Sequence, residues 1–182
     1  ISSAASDVYK RQASEKEIKL AIEGLIPISS QFWGNIDELE WVPNMKESYM
    51  MNLSSDMVEY QPEFLKRFDY LMNDSRIELL DRIVKFYPNF HDLLSEGTLT
   101  LTQWDYRVEN LLFTPKADDL TVIDWQLMMA NKPGWDLAYL LCTNIKVDLR
   151  RKIFDESCEA YLTGLRDSGI DFGREELNKN MM

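Results

Sequence analysis

The chain has 182 residues, of which 45% are hydrophobic and 28% are charged, and its formal net charge is -11. This length allows one domain with a core, and the acidic balance disfavours nucleic-acid binding, which needs a basic face. No apolar run approaches the roughly 20 residues of a membrane-spanning helix, so we expect no membrane insertion. The two cysteines, Cys142 and Cys158, fall in apolar helical patterns. We therefore expect buried, reduced thiols and an intracellular, cytoplasmic location.

The first twelve residues, ISSAASDVYKRQ, are expected to differ in origin from the rest of the chain. Residues 2–12 match, codon by codon, the translation of a common transposon-based sequencing adapter, so we exclude them from the fold argument. We expect residues 1–12 to be derived from that adapter and residues 13–182 to be a fragment that is truncated at both ends. The alternative is a short, disordered natural terminus.

Helical periodicity dominates the first half of the chain. Ser14 is a typical N-cap, and apolar residues follow it at helical spacing as far as Pro27, which we expect to break or kink the helix. Residues 35–52 show no regular pattern. Two further helices are predicted at about 61–72 and from about Ser75 to Pro88, each with one apolar stripe.

The period of the pattern changes after residue 97. Leucine and threonine alternate over residues 98–102, which is typical of a half-buried strand. Two short apolar runs, 111–113 and 120–123, flank a turn-rich loop and predict a β-hairpin. Helical patterns return at 135–142, at 147–165 and from about residue 172. The small strand cluster therefore lies between helices, and the polar candidates lie on its loops, where function is usually found.

Three polar residues border the predicted hairpin: Asp105, Asn110 and Asp124. Asn110 precedes one strand and Asp124 follows its partner, and antiparallel pairing places those two ends side by side. Carboxylate and amide oxygens are ligands that Mg²⁺ prefers, and a carboxylate can orient and deprotonate an acceptor hydroxyl. The pattern therefore predicts a site for phosphoryl transfer.

Three ordered motifs extend this prediction to a family: QWDYRVENLLF, VIDWQ and WDLAYLL. Together they resemble the aminoglycoside phosphotransferase and choline kinase superfamily, nearest its ecdysteroid-kinase-like branch, over about residues 31–165. The resemblance implies an α+β, mostly helical, protein-kinase-like fold. This chain would be its C-terminal lobe, with a small β-hairpin carrying the catalytic and metal loops. The sequence has no glycine-rich nucleotide loop and no strand lysine, so we expect the N-terminal lobe to be absent and the chain alone to be an inefficient kinase.

The resemblance also implies roles for individual residues. Asp105 matches the catalytic base, and Asn110 and Asp124 match the ligands of the Mg²⁺ that accompanies ATP. Arg107 occupies a variable position from which it could reach a phosphate or the acceptor. Asp136 matches a structural aspartate that ties the catalytic loop to the following helix. The complete enzyme would transfer the γ-phosphoryl group of ATP to a hydroxyl group of a small molecule.

Two residues depart from the family pattern, because Gln103 and Trp104 stand where the family has histidine and glycine. Glutamine has a donor and an acceptor and can partly replace the loop-organising hydrogen bonds of histidine. Tryptophan does not easily adopt a positive φ. We therefore expect weakened rather than abolished chemistry. His91, the sole histidine in the sequence, lies outside the motifs, and we expect it on a helix surface.

Two other functions stay open. A catalytically impaired pseudokinase that binds a ligand or a partner is favoured by Gln103 and Trp104. A helical interaction domain without a nucleotide site is the other alternative. The triplet Asp171-Phe172-Gly173 spells the metal motif of protein kinases, but it follows no strand and lies far beyond Asp105. We predict that it forms the N-terminal turn of a helix.

Overall fold

The computed structural model describes residues 12–181. These residues form two compact units, one made of residues 12–42 and 98–181 and the other of Pro43–Gly97. Residues in helices greatly outnumber residues in strands, which confirms the predicted mostly helical α+β class. In chain order the α-helices and strands are α1 (Glu15–Gln31), α2 (Ser48–Arg67), α3 (Asp74–Ser95), β1 (Thr100–Thr102), β2 (Leu111–Phe113), β3 (Leu120–Val122), β4 (Met129–Asn131), α4 (Trp135–Thr143), α5 (Val147–Asp167) and α6 (Arg174–Asn180).

Helix α1 begins where the sequence predicts. The Ser14 hydroxyl accepts a hydrogen bond from the Glu17 backbone N–H, and the Glu17 carboxylate accepts one from the Ser14 backbone N–H, which forms a capping box. Of the predicted break or kink at Pro27, the break does not occur, because α1 runs through this residue to Gln31. Proline removes one backbone donor, but the fully buried face of α1, which includes Ile22, packs against α5 and holds the helix together.

The four strands form two antiparallel pairs. β2 pairs with β3 in the register Leu111↔Val122, which confirms the predicted hairpin. β1 pairs with β4, and Thr102 lies opposite Met129. Strand β1 begins two residues later than predicted. The sequence prediction missed β4, because its three residues, Met-Ala-Asn, show no strand-like alternation and become buried only through their pairing with β1.

The core of the first unit lies among α1, α4 and α5. It also fixes the chain segment between β1 and β2. The ring of Tyr106 is fully buried and its hydroxyl donates to the carbonyl oxygen of Ala21 in α1. Two residues further on, the Val108 backbone N–H donates to the Asn144 side chain at the end of α4, 2.6 Å away. The segment is thus attached to α1 through Tyr106 and to the end of α4 through Val108.

The second unit contains α2 and α3, which pack against each other. Helix α2 begins at Ser48, so the predicted irregular segment ends earlier than expected and the predicted start near residue 61 is wrong. Helix α3 passes through Pro88 to Ser95, so the prediction that this proline ends the helix is also wrong. The apolar stripes are only partly covered, since Phe64 and Ile83 are 42% and 44% exposed.

His91 is buried, so its predicted surface position is wrong. Its Nε2 lies 2.8 Å from the Ser54 hydroxyl of α2, and its Nδ1 lies 3.1 Å from the Met45 carbonyl oxygen. The ring also makes an edge contact with Tyr87. Both ring nitrogens therefore have a partner, which allows a polar side chain to lie in the interior.

Three smaller predictions also have an outcome. Both cysteines are free, but only Cys158 is buried; Cys142 is exposed, because the apolar face of the short helix α4 turns away from it. The Asp171-Phe172-Gly173 triplet directly precedes α6, with Gly173 as the N-cap, so it leads into the helix but does not form its first turn. None of the helices between residues 12 and 181 combines the length and the apolar character that crossing a bilayer requires.

Candidate active site

The segment between β1 and β2 carries Asp105 and Arg107. Tyr106 and Val108 are buried, whereas Asp105 and Arg107, which alternate with them, are more accessible. The side chain of Asp105 is 16% exposed and that of Arg107 is 47% exposed. A short helical turn, Val108–Asn110, then leads into β2. The segment, which we call the catalytic loop (residues 103–110), therefore presents a half-buried carboxylate beside a more exposed guanidinium.

Asp136 anchors the beginning of the catalytic loop. It lies in the first turn of α4, and its carboxylate accepts the backbone N–H of Gln103 at 2.7 Å and that of Trp104 at 3.0 Å. Burial raises the pKa of Asp136 to about 7; the two N–H donors oppose this rise and the nearby charge of Asp105 adds to it. A single buried carboxylate thus fixes two consecutive peptide groups of the loop.

Asp105 lies in a network of polar groups. Its Oδ2 is 3.1 Å from Nε of Arg107 and accepts a hydrogen bond from Nδ2 of Asn110, also at 3.1 Å. The same Nδ2 donates to the Asp105 backbone carbonyl at 2.9 Å. Since the amide nitrogen of Asn110 faces Asp105, Oδ1 is the atom with which Asn110 can coordinate a cation.

Asp124 directly follows the hairpin. The Ile123 backbone N–H donates to the Asn110 carbonyl oxygen at 3.0 Å, so the hairpin ladder continues one step beyond β2 and β3. The chain then turns sharply, because Asp124 has a φ of 58° and a ψ of 60°. Aspartate is one of the few residues other than glycine that enter this left-handed region readily. Asn110 and Asp124 therefore lie at neighbouring ends of paired strands.

Gln103 links the catalytic loop to the turn at Asp124. Its Nε2 donates to the carbonyl oxygens of Ile123, at 3.1 Å, and of Asp124, at 2.7 Å. The side chain is fully buried, and among residues 12–181 its Oε1 has no hydrogen-bond partner. A buried amide oxygen without a donor is unfavourable. Gln103 therefore leaves an acceptor for a water molecule next to the backbone of Asp124.

The donor set suits a magnesium ion. Asn110 and Asp124, at neighbouring ends of the paired strands, offer hard oxygen ligands. Within the described part of the chain, no group of three or more His, Cys, Asp or Glu side chains could hold a metal. Mg²⁺ is commonly held in proteins through one or two carboxylates while it retains several waters.

Trp104 adopts the positive φ that the sequence analysis considered difficult for tryptophan. Its φ is 74°, in the left-handed region that is costly for a residue with a side chain. Its ring stacks on the ring of Trp135, with the centroids 4.3 Å apart and an angle of 8° between the planes. Nε1 of Trp135 also donates to the Trp104 carbonyl oxygen at 3.0 Å. These contacts offset a backbone cost of about 1–2 kcal/mol for a non-glycine residue in this region.

Sequence analysis missed two site residues on α4. Trp135 holds Trp104, and Tyr139 interacts electrostatically with Asp105. Burial raises the pKa of Tyr139, and Asp105 raises it further. The signal was present in the motif WDLAYLL, because residues four positions apart share one helix face. That spacing also follows from ordinary core packing, so it did not point to a site.

Comparison with known proteins assigns the chain to a family. The model of the ecdysteroid kinase-like family matches residues 4–172. The chain is also similar to acyl-CoA dehydrogenase family member 10 of Mus musculus, with 38% identity over 66 residues, which is 36% of this chain and 6% of that protein. The chain thus matches only a small part of that curated relative. The family match covers most of the sequence, and the chain therefore belongs to the ecdysteroid kinase-like family of kinase-like phosphotransferases.

Proposed function

We propose that the protein transfers the γ-phosphoryl group of ATP to a hydroxyl group of a small-molecule acceptor. One observation carries this proposal: Gln103, Asn110 and the β2–β3 ladder join the loop of Asp105 to the turn of Asp124. Phosphoryl transfer depends mainly on positioning and on charge stabilisation. A carboxylate and two oxygen ligands on rigidly connected loops supply what that reaction needs.

Asp105 is the proposed catalytic base. Its half-buried carboxylate would accept a hydrogen bond from the acceptor hydroxyl, orient its oxygen toward the phosphorus and take up its proton. Asn110 and Arg107 both contact Oδ2. These two contacts hold the carboxylate in one orientation. The proton that leaves the hydroxyl is therefore received by a group whose position is fixed before the acceptor binds.

Asn110 and Asp124 are the residues that would hold Mg²⁺, through Oδ1 and a carboxylate oxygen respectively. When it is bound, this ion neutralises negative charge on the phosphate oxygens during transfer. Arg107 has a half-exposed guanidinium. It can leave Asp105 and contact a phosphate oxygen instead, because guanidinium groups bind carboxylates and phosphates in similar geometry.

Substitution of the proposed base tests the reaction. In the full-length protein, Asp105→Asn keeps the shape of the side chain but removes the proton acceptor, so kcat should fall about 10²–10⁴-fold. The affinity for Mg²⁺·ATP should change little, because Asp105 is not a proposed metal ligand. Calorimetric titration and an ADP-release assay measure the two quantities. Asp167→Asn, at the exposed end of α5, is the control. Turnover that survives Asp105→Asn would show that the base is another residue.

A pseudokinase is the second candidate function. The observation that favours it is Gln103, whose amide replaces an imidazole and leaves a buried oxygen unpaired. The same two measurements separate the candidates. Mg²⁺-dependent nucleotide binding without ADP release, over a panel of hydroxyl acceptors, would select the pseudokinase, whereas acceptor-dependent ADP release would select the enzyme.

A further inference from the structure

We propose that Trp104 is a positioning residue that fixes Asp105 by stacking on Trp135. The inference rests on the proposed role of Asp105 as the base. The two indole rings lie almost parallel, with 8° between their planes and 4.3 Å between their centroids. Trp104 immediately precedes Asp105, so any movement of its backbone is passed directly to the carboxylate.

The backbone of Trp104 is held at both of its polar groups. Its N–H donates to the Asp136 carboxylate at 3.0 Å, and its carbonyl oxygen accepts from Nε1 of Trp135 at 3.0 Å. Both partners belong to the first turn of α4. Together with the ring contact, one residue of the loop makes three contacts with two adjacent residues of a helix. These three contacts together hold Trp104 in a single conformation.

The carbonyl contact acts directly on Asp105. The Trp104 carbonyl and the Asp105 N–H belong to one planar peptide group, so fixing the oxygen also fixes the orientation of that N–H. The remaining freedom of Asp105 is reduced further where its side chain meets Asn110 and Arg107. The stack therefore fixes the backbone of Asp105, and the contacts with Asn110 and Arg107 orient its side chain.

Glycine at position 104 would relieve the backbone strain but would not stack on Trp135. It adopts a φ near 74° without steric cost, but it has no ring to place on Trp135. Trp104→Gly therefore removes backbone strain and the stack together. If strain were the dominant effect of tryptophan here, the glycine variant would have the better ordered loop. If the stack dominates, as we propose, the glycine variant has the less ordered loop despite its relaxed backbone.

Amide hydrogen exchange in the 182-residue chain tests this without any catalytic assay. The amides to follow are those of Gln103 and residue 104, which donate to Asp136, and the internal reference is the β2–β3 ladder. We compare Trp104→Phe, which keeps an aromatic ring, with Trp104→Gly and Trp104→Ala. The control is Trp41→Ala, which removes a tryptophan that is 66% exposed.

We expect exchange of the two loop amides to accelerate about tenfold in the glycine and alanine variants, relative to the ladder. The phenylalanine variant and the control should stay within about threefold of the unsubstituted chain. Protection in Trp104→Gly equal to that of the unsubstituted chain would overturn the proposal. If Trp104→Ala does not fold, the glycine and phenylalanine variants alone decide the question.

Kinetics then connect the loop to the reaction. In the full-length protein, Trp104→Gly should lower kcat about tenfold, with KM for the nucleotide within about twofold and kcat restored by Trp104→Phe. A changed KM with unchanged kcat would overturn the positioning role. Absence of turnover in the unsubstituted protein would refute the proposed function, but the exchange result would still decide whether the stack orders the loop.

Discussion

Gln103 shows how one side chain can join two loops that come from different strands. Its amide nitrogen serves two carbonyl oxygens, those of Ile123 and Asp124. Gln103→Ala removes both donations together with a fully buried side chain, so we expect the free energy of unfolding to fall by about 1–3 kcal/mol. Gln103→His keeps one ring N–H and should lose less. Urea unfolding measures both, with Gln31→Ala at the exposed end of α1 as control. Equal losses for alanine and histidine would contradict the role of the donor.

Asp136 makes the stability of the chain depend on pH in a direction opposite to that of most carboxylates. Burial raises its pKa from 3.8 to about 7, so the folded state binds this proton more tightly than the unfolded state. Its contribution to stability is therefore fully present below about pH 4 and is lost as the pH rises through about 7. Urea unfolding at about pH 5 and about pH 8 should show the higher stability at the lower pH.

Asp136→Asn provides the control for that pH dependence. The asparagine has no titratable group, so the difference in stability between the two pH values should shrink. Its single carbonyl oxygen cannot accept both the Gln103 and the Trp104 N–H, so the variant should also be less stable at the lower pH, by about 1–3 kcal/mol. An unchanged pH dependence would assign the effect to another residue.

At the scale of elements, the packing of α1 on α5 stabilises the candidate site, because Tyr106 of the catalytic loop is hydrogen-bonded to α1. The contact is close at Gly164 of α5, where an added Cβ would lie 2.1 Å from Cδ1 and 2.6 Å from Cγ1 of Ile26. A side chain there forces Ile26 to move. The separation of the two helices is thus set by the absence of a side chain at residue 164.

We expect Gly164→Ala to destabilise the protein by about 1–3 kcal/mol through overpacking. Thermal unfolding measures this, and Thr163→Ala, at an exposed neighbouring position of α5, is the control. Adding Ile26→Ala to Gly164→Ala should recover part of the loss by making room for the new methyl group. If the double variant is as unstable as the sum of the single variants, steric contact with Ile26 is not the cause.

The elements also show what sequence patterns can predict. Ser14 and the β2–β3 hairpin were predicted because their signals are local: a cap three residues from its partner and two apolar runs around one turn. The helices do not stop at Pro27 or Pro88, although a proline disfavours a continuous helix locally. Long helices that continue on both sides of it override that preference.

The same distinction applies to the candidate site. Motif spacing predicted the positions of Asp105, Asn110 and Asp124, since all three lie within or next to one hairpin; their chemical roles stay predictions. The left-handed Trp104 could not be predicted, because its conformation depends on Trp135, which lies 31 residues further along the chain. His91 was misplaced for a similar reason, because its partners come from distant segments.

At the scale of the whole molecule, the net charge of -11 dominates the electrostatics. Like charges repel one another in the compact state more than in the expanded unfolded chain. Raising NaCl from about 0.02 M to about 0.2 M screens this repulsion, so the temperature of thermal unfolding should rise. Calorimetry measures it, and KCl should act equally, which separates screening from specific ion binding. A fall in that temperature would show that attractive ion pairs outweigh the repulsion.

The parallel indoles of Trp104 and Trp135 give the molecule an optical consequence. Two aromatic chromophores in face-to-face contact share their excitation, so their emission and near-ultraviolet circular dichroism depend on the spacing between them. The chain has five tryptophans, and this stacked pair adjoins the candidate base. The protein therefore contains an intrinsic, label-free reporter, whose signal would reveal whether nucleotide or acceptor rearranges the loop that carries Asp105.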